Sequence, residues 1–146
     1  MTKSTKLDLT PLEKAIKRLY KSLEYYHSEM AKKDHELLLQ FMAATIQSFE
    51  FTYELCSKFI QRYLKLVEPS VVIIDEMSFP DIIRTASSRG LLLNEWGEWK
   101  QYRDKRNITS HTYDELKAHE VMKIVPQFLE EAQYLLAKLK DRMKTS

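Results

Sequence analysis

Cysteine occurs once in this 146-residue chain, glycine twice and proline four times. A single thiol, Cys56, excludes an intramolecular disulfide and any cysteine-based zinc site. So few glycines and prolines cannot supply the many tight turns of an all-β fold. Neither charge sign dominates: 23 basic residues face 21 acidic ones, for a net charge of +2. That balance argues against a nucleic-acid binder working through bulk charge alone. No apolar run approaches the roughly 20 residues of a membrane span, so no membrane association is expected. The opening residues, Met-Thr-Lys-Ser-Thr-Lys, lack the apolar run of a secretory signal, and a cytoplasmic protein is expected. His27, His35 and His119 are scattered without zinc spacing, so neither a metal site nor a cofactor is expected.

The residues that are abundant are helix formers. Leu, Lys, Glu, Ala and Met dominate, and a 44% hydrophobic, 30% charged composition is that of a globular rather than a disordered chain. An all-α fold follows, as one helical domain over residues 1–146, with 1–9 as a flexible N-terminal segment. Thr10-Pro11-Leu12-Glu13 offers a capping hydroxyl, a proline at the first turn and a glutamate three residues on. Leu12, Ile16, Leu19, Leu23 and Tyr26 then form one apolar stripe, ending near 27–32.

Asp34 is the expected cap of a second helix reaching about Val67, close to 48 Å long at ~1.5 Å per residue. Its apolar set, from Leu38 and Met42 to Phe59 and Tyr63, is broad, and Phe41, Ala44, Phe51, Leu55 and Leu64 widen it further. Such a surface points to a second copy, hence a dimer. Cys56, among Phe49, Tyr53, Phe59 and Ile60, reads as a small core residue.

Glu68-Pro69-Ser70 breaks this helix. Val71-Val72-Ile73-Ile74 has no partner strand and reads as a buried loop. Ser78-Phe79-Pro80-Asp81 opens a short helix that Gly90 closes with a left-handed cap. Asn94 is the expected cap of the next helix, where Gly97 costs about 1 kcal/mol relative to Ala and suggests close packing or a partner contact. A capping box at Thr112-Tyr113-Asp114-Glu115 starts a last helix, which Pro126 kinks or restarts. The sum is a four-helix bundle with a short additional helix.

One segment stands apart from these amphipathic helices: Arg106-Asn107-Ile108-Thr109-Ser110-His111-Thr112-Tyr113. A guanidinium that is always charged and an imidazole that titrates near neutrality can grip a phosphate and move a proton. Arg106 and His111 would point about 140° apart on an unbroken helix. Either a break near 110–112 swings them together, or Arg106 of one protomer meets His111 of another. Both geometries give a helix junction, whose free N–H groups favour anions. A local basic patch, Lys100, Arg103, Lys105 and Arg106, precedes it. The competing readings are a solvated basic face, a capping or interface role for His111, a packing role for Tyr113, and core packing for Trp96 and Trp99.

The Arg106-x4-His111-x-Tyr113 string resembles the motif of the HEPN superfamily. Pro80-Asp81-Ile82-Ile83-Arg84, Gly90-Leu91-Leu92, Glu95 with Trp96 and Trp99, Tyr102-Arg103-Asp104 and Val121 to Leu129 resemble the bacterial and archaeal nucleotidyltransferase substrate-binding proteins. The resemblance covers the chain from Leu12 onward. It implies a homodimer of up-and-down helical bundles, encoded beside a cognate minimal nucleotidyltransferase as a toxin–antitoxin-like pair. It further implies a composite cleft between two motifs, metal-independent RNA cleavage in active members, and transfer of AMP to the motif tyrosine, here Tyr113. On that reading Arg106, His111 and Asn107 are the catalytic group, and Arg103, Lys105 and Ser110 bind nucleotide or RNA. His111 would be general acid or base and Arg106 would offset charge on the phosphorane. The function expected first is that of the substrate-binding subunit, which pairs with the nucleotidyltransferase and binds nucleotide or RNA at this cleft; the alternative is an active metal-independent ribonuclease toxin that the nucleotidyltransferase neutralises.

Overall fold

The computed structural model describes residues 7–111 and 113–144. They form seven α-helices: α1 (Thr10–Tyr26), α2 (Glu29–Lys33), α3 (His35–Val67), α4 (Val71–Glu76), α5 (Phe79–Ser88), α6 (Trp96–Asn107) and α7 (Glu115–Lys144). A single 3₁₀ turn, Thr109–His111, separates α6 from α7. The fold is all-α, as composition required.

Local chemistry explains most boundaries. Asp34 caps α3, its Oδ1 accepting from the N–H groups of Glu36 and Leu37 at 3.0 and 3.3 Å. Ser78 caps α5 through Asp81 N–H. Gly90, at φ +74°, ends α5 with the N–H groups of Gly90 and Leu91 returning to Ser87 and Ala86. This is the paired bonding of a Schellman motif, which needs a residue at ease in the left-handed region.

Several expectations are corrected. The Thr10 hydroxyl does not cap α1; Asp8 does, accepting from Thr10 N–H at 3.1 Å. In the N-terminal segment expected to be flexible, 1–6 lie outside the described residues, whereas Leu7 and Leu9 pack against the core. Residues 71–74 are not a buried loop. Ser70 caps them into α4, and only Ile74 is buried, while Val71, Val72 and Ile73 are exposed. Asn94 does not cap α6; Glu95 N–H instead bonds the Glu98 carboxylate, and the Asn94 amide turns inward. A Cβ added at Gly97 would meet nothing within 4 Å, so no close packing inside this chain explains that glycine. Pro126 leaves α7 continuous and removes only one ladder donor.

Helix α1 packs most extensively on α3, and α7 packs on both, with α6 set against α7, α5 and α3. Between them Phe128 of α7 is fully buried, edge-on to Phe49, Tyr102 and Trp99, with ring centroids 5.1, 5.3 and 6.3 Å away. Trp99 is fully buried, so its role is core packing. This aromatic cluster fixes α6 on α3 and α7, and so sets where α6 ends. Cys56 is buried among these residues, as expected.

Candidate functional site at the α6–α7 junction

Helix α6 stops where its last turn is basic, which suits the negative end of the helix dipole. The Thr109 hydroxyl donates to the Arg106 carbonyl at 2.8 Å. His111 N–H bonds the Ile108 carbonyl, and Asp114 N–H bonds that of His111, both at 3.0 Å. Asp114 then caps α7 by accepting from Leu116 N–H at 2.9 Å. The break therefore falls where the Arg106–His111 spacing asks for one. Its cap is Asp114, and Thr112 lies outside the described residues.

The imidazole of His111 is exposed and makes no hydrogen bond or ion pair among the described residues. Its ring centroid lies 6.4 Å from that of Tyr113. Tyr113 is 86% exposed, which rules out a packing role within the chain. Asn107 and Ser110 are also exposed. All four side chains are exposed, from the last residue of α6 through the segment that joins it to α7.

Arg106 does not turn toward His111. Its Nε donates to Glu54 Oε2 at 3.1 Å, and its Nη2 lies 3.6 Å from Glu50 Oε2. Lys105 Nζ donates to Glu120 Oε1 at 3.3 Å, while Lys123 takes the other oxygen at 3.0 Å. Hydrogen bonds from these two lysines hold the Glu120 carboxyl below the usual carboxylate range. The Arg103 guanidinium lies over the half-buried Trp96 ring, 4.9 Å from its centroid. The structure thus gathers His111, Tyr113, Asn107 and Ser110 at one junction. Arg106, Lys105 and Arg103 each lean on a different partner. Among the described residues no group of three or more His, Cys, Asp or Glu is placed to hold a metal ion.

Residues 7–141 match a family model described as nucleotidyltransferase substrate binding protein like. The chain belongs to this family. A relative from Haemophilus influenzae, named probable ribonuclease HepT, is 43% identical over 101 residues, covering 69% of this chain and 68% of that protein. A solved structure from Haemophilus influenzae is described as the fold of a substrate binding domain of a nucleotidyltransferase. It matches with a TM-score of 0.85 at 34% identity, over 91% of this chain and 99% of the other. The resemblance read from the Arg106–Tyr113 segment is thereby borne out.

Sequence reasoning missed the carboxylates in this member of the nucleotidyltransferase substrate binding protein like family. Glu50 and Glu54 sit four apart on α3, a like-charge spacing that destabilises an isolated helix. That spacing was the available signal that a cation lies between them.

Proposed function

We propose that this chain is the HEPN subunit of a toxin–antitoxin-like pair with a cognate minimal nucleotidyltransferase in the cytoplasm. As a homodimer of up-and-down four-helix bundles, it cleaves RNA without a metal ion at its Arg106-x4-His111-x-Tyr113 junctions. The observation that carries this reading is the exposed imidazole of His111, which has no hydrogen bond or ion pair among the described residues, beside the helix break after Arg106. A general acid or base needs that freedom. The ribonuclease name of the Haemophilus influenzae relative supports it.

In this chemistry the ribose 2′-OH attacks the adjacent phosphorus and the 5′-oxygen leaves. The products are a 2′,3′-cyclic phosphate and a 5′-hydroxyl, and the need for a 2′-OH selects RNA over DNA. His111 takes the 2′-OH proton or supplies one to the departing oxygen. Arg106 offsets charge on the phosphorane once it is released from Glu54, and Asn107 orients the phosphate. Ser110, Lys105 and Arg103 bind flanking backbone. The exposed Tyr113 phenol is accessible to the partner: its oxygen attacks the α-phosphorus of ATP, pyrophosphate leaves, and the bulky AMP silences the site.

A second reading is favoured by the ion pairs of Arg106. A guanidinium already held by Glu50 and Glu54 suits a subunit that binds nucleotide or RNA for its partner and does not cut. The test is incubation of structured, labelled RNA with the purified protein in EDTA, beside an Arg106→Ala/His111→Ala control. Cleavage by the wild type alone, leaving cyclic phosphate ends, is the expected result. Intact RNA across several substrates transfers the function to the binding reading.

A further inference from the structure

Away from the junction, a groove of about 1220 Å³ runs between α1 and α3 and reaches Arg106 at its edge. One wall is basic: Lys14, Lys17, Arg18 and Lys21 recur at helical spacing along a single face of α1. All four are exposed. Among the described residues none of them has a carboxylate within 4 Å or a side-chain hydrogen bond. Among the described residues the acids lining the groove are Glu50 and Glu54, the two already held by Arg106. Lys14 and Lys17 feel Asp8 and Glu13 at longer range, but neither acid lines the groove, whose unpaired lining charge is positive.

The groove is also aromatic. Phe51 of α3 and Tyr25 of α1 line it and are 59% and 51% exposed. Tyr25 also packs on Phe41, 5.4 Å between ring centroids, and the open faces of both rings suit stacking on bases. Small residues, Ala15, Ser22, Ala44 and Ser48, line the groove between the two basic and aromatic walls and leave it open. There the Thr52 hydroxyl, bonded to the Ser48 carbonyl, reaches the carbonyl of Ala15. A cationic wall, exposed rings and a guanidinium at one edge are the components of a single-strand track.

We infer that the α1–α3 groove is a binding site for single-stranded RNA, tracking phosphates along Lys14, Lys17, Arg18 and Lys21 and stacking bases on Phe51 and Tyr25. The strand enters beside Arg106, where a backbone phosphate replaces the Glu50 and Glu54 carboxylates on the guanidinium. The inference rests on RNA being the substrate of the junction, and adds where the strand lies before it reaches His111. Ala44 and Phe51, which also widen the apolar face of α3, line this groove, so a second copy of the chain seated on it is an outcome that the test must separate from RNA.

The experiment uses the full-length His111→Ala protein, so that binding is read without cleavage, and a fluorescent single-stranded RNA oligomer. Five phosphate contacts, those of the four α1 cations and of Arg106, predict a log–log salt slope near −3.5, or about a 130-fold loss of affinity from 50 to 200 mM salt. Adding Lys14→Gln/Lys17→Gln/Arg18→Gln/Lys21→Gln should weaken binding at low salt by more than tenfold and flatten the slope to about −0.7, the share of Arg106. Phe51→Ala should weaken it about tenfold. A control, Lys58→Gln/Lys65→Gln/Arg84→Gln, removes charge outside the groove and should leave affinity unchanged. Sedimentation of each variant reports its assembly.

Three results overturn the inference: no RNA binding by the His111→Ala protein, equal losses in the groove and control variants, or a groove variant that changes only the oligomeric state. The last would make the groove an interface between copies. Its failure is separable from that of the ribonuclease reading. RNA bound in the groove but never cut by the wild type overturns the ribonuclease alone. RNA cut at His111 with affinity indifferent to the four cations overturns the groove alone.

Discussion

The carboxylate of Glu131 on α7 holds Asn94, 37 residues earlier, by both its backbone N–H and its side-chain amide. Leu93 N–H donates to the same carboxylate at 2.7 Å, and the Tyr102 hydroxyl donates to it at 3.1 Å. Glu131 is fully buried, and these four donors are what make that burial tolerable. The connection from α5 to α6 is thus pinned to the middle of α7. Burial, reinforced by the nearby Glu131 charge, pushes the Tyr102 phenol well above its ordinary range.

Glu131→Gln substitutes an amide whose N–H₂ faces donors. It should cost about 3 kcal/mol, roughly 10 °C in Tm. Tyr102→Phe, which loses one bond, should cost about 1 kcal/mol. Thermal unfolding followed by circular dichroism measures both. Equal Tm values for wild type and Glu131→Gln would mean that the network adds nothing to stability.

Releasing Arg106 should strengthen anion binding. Glu50→Gln/Glu54→Gln leaves the guanidinium unpaired and should raise RNA affinity several-fold at low salt. Stability should change by less than about 1 kcal/mol, since the pairs are partly solvated. Anisotropy titrations and urea melts check the two halves. Weaker RNA binding in this variant would assign the carboxylates to substrate contact instead.

Cys56 should be silent in the folded protein. Burial pushes its thiol well above the ordinary 9.0, so a thiol reagent at pH 8 should label it only after denaturation. The sign of the stability effect follows. Below 9.0 the thiol is protonated in both states and its contribution is intact. Above that pH the unfolded chain loses a proton that the folded one keeps, and stability falls by about 1.4 kcal/mol per pH unit. Tyr53, pushed by burial up to about 12, adds a loss in the same direction above its ordinary 10.0. Urea melts from pH 8 to 10.5 should show the slope starting near 9 in the wild type and later in Cys56→Ala.

The two glycines should respond oppositely to alanine. Gly90→Ala forces a side chain into the left-handed region and should cost about 1–2 kcal/mol. Gly97→Ala meets open space and should add up to about 1 kcal/mol. Denaturant melts of the two variants decide it. A loss of stability or of dimer in Gly97→Ala would mean that a partner chain packs against α6 at that point.

Short-range chemistry was legible in the sequence: the caps at Asp34 and Ser78, the glycine stop at Gly90, the break at 68–70 and the junction after Arg106. Each depends on atoms a few residues apart. The misreadings share a cause, which is competition from distant groups or from a nearer donor. Asn94 has a good capping side chain, but Glu131 claims it across 37 residues. Residues 71–74 looked buried because they are apolar, whereas the Ser70 cap winds them into a helix with three of the four side chains exposed. The motif residues of the site were legible as a string. The partners of Arg106 were not, because Glu54 lies 52 residues away and only the folded packing of α6 on α3 brings them together.

Helix α3 presents two unrelated surfaces on the same two turns. Phe49, Tyr53 and Cys56 point into the core, while Glu50, Phe51 and Glu54 face the groove and Arg106. Inserting or deleting one residue between 47 and 56 would rotate everything beyond it by about 100°. A carboxylate would swing toward the aromatic cluster, and a core ring would swing into the groove. Length variation among natural relatives should therefore be absent from this segment and concentrate at 68–70 and 89–95, where the chain turns. Point substitutions can retune the groove face, but the register of α3 cannot slip without losing fold and site together.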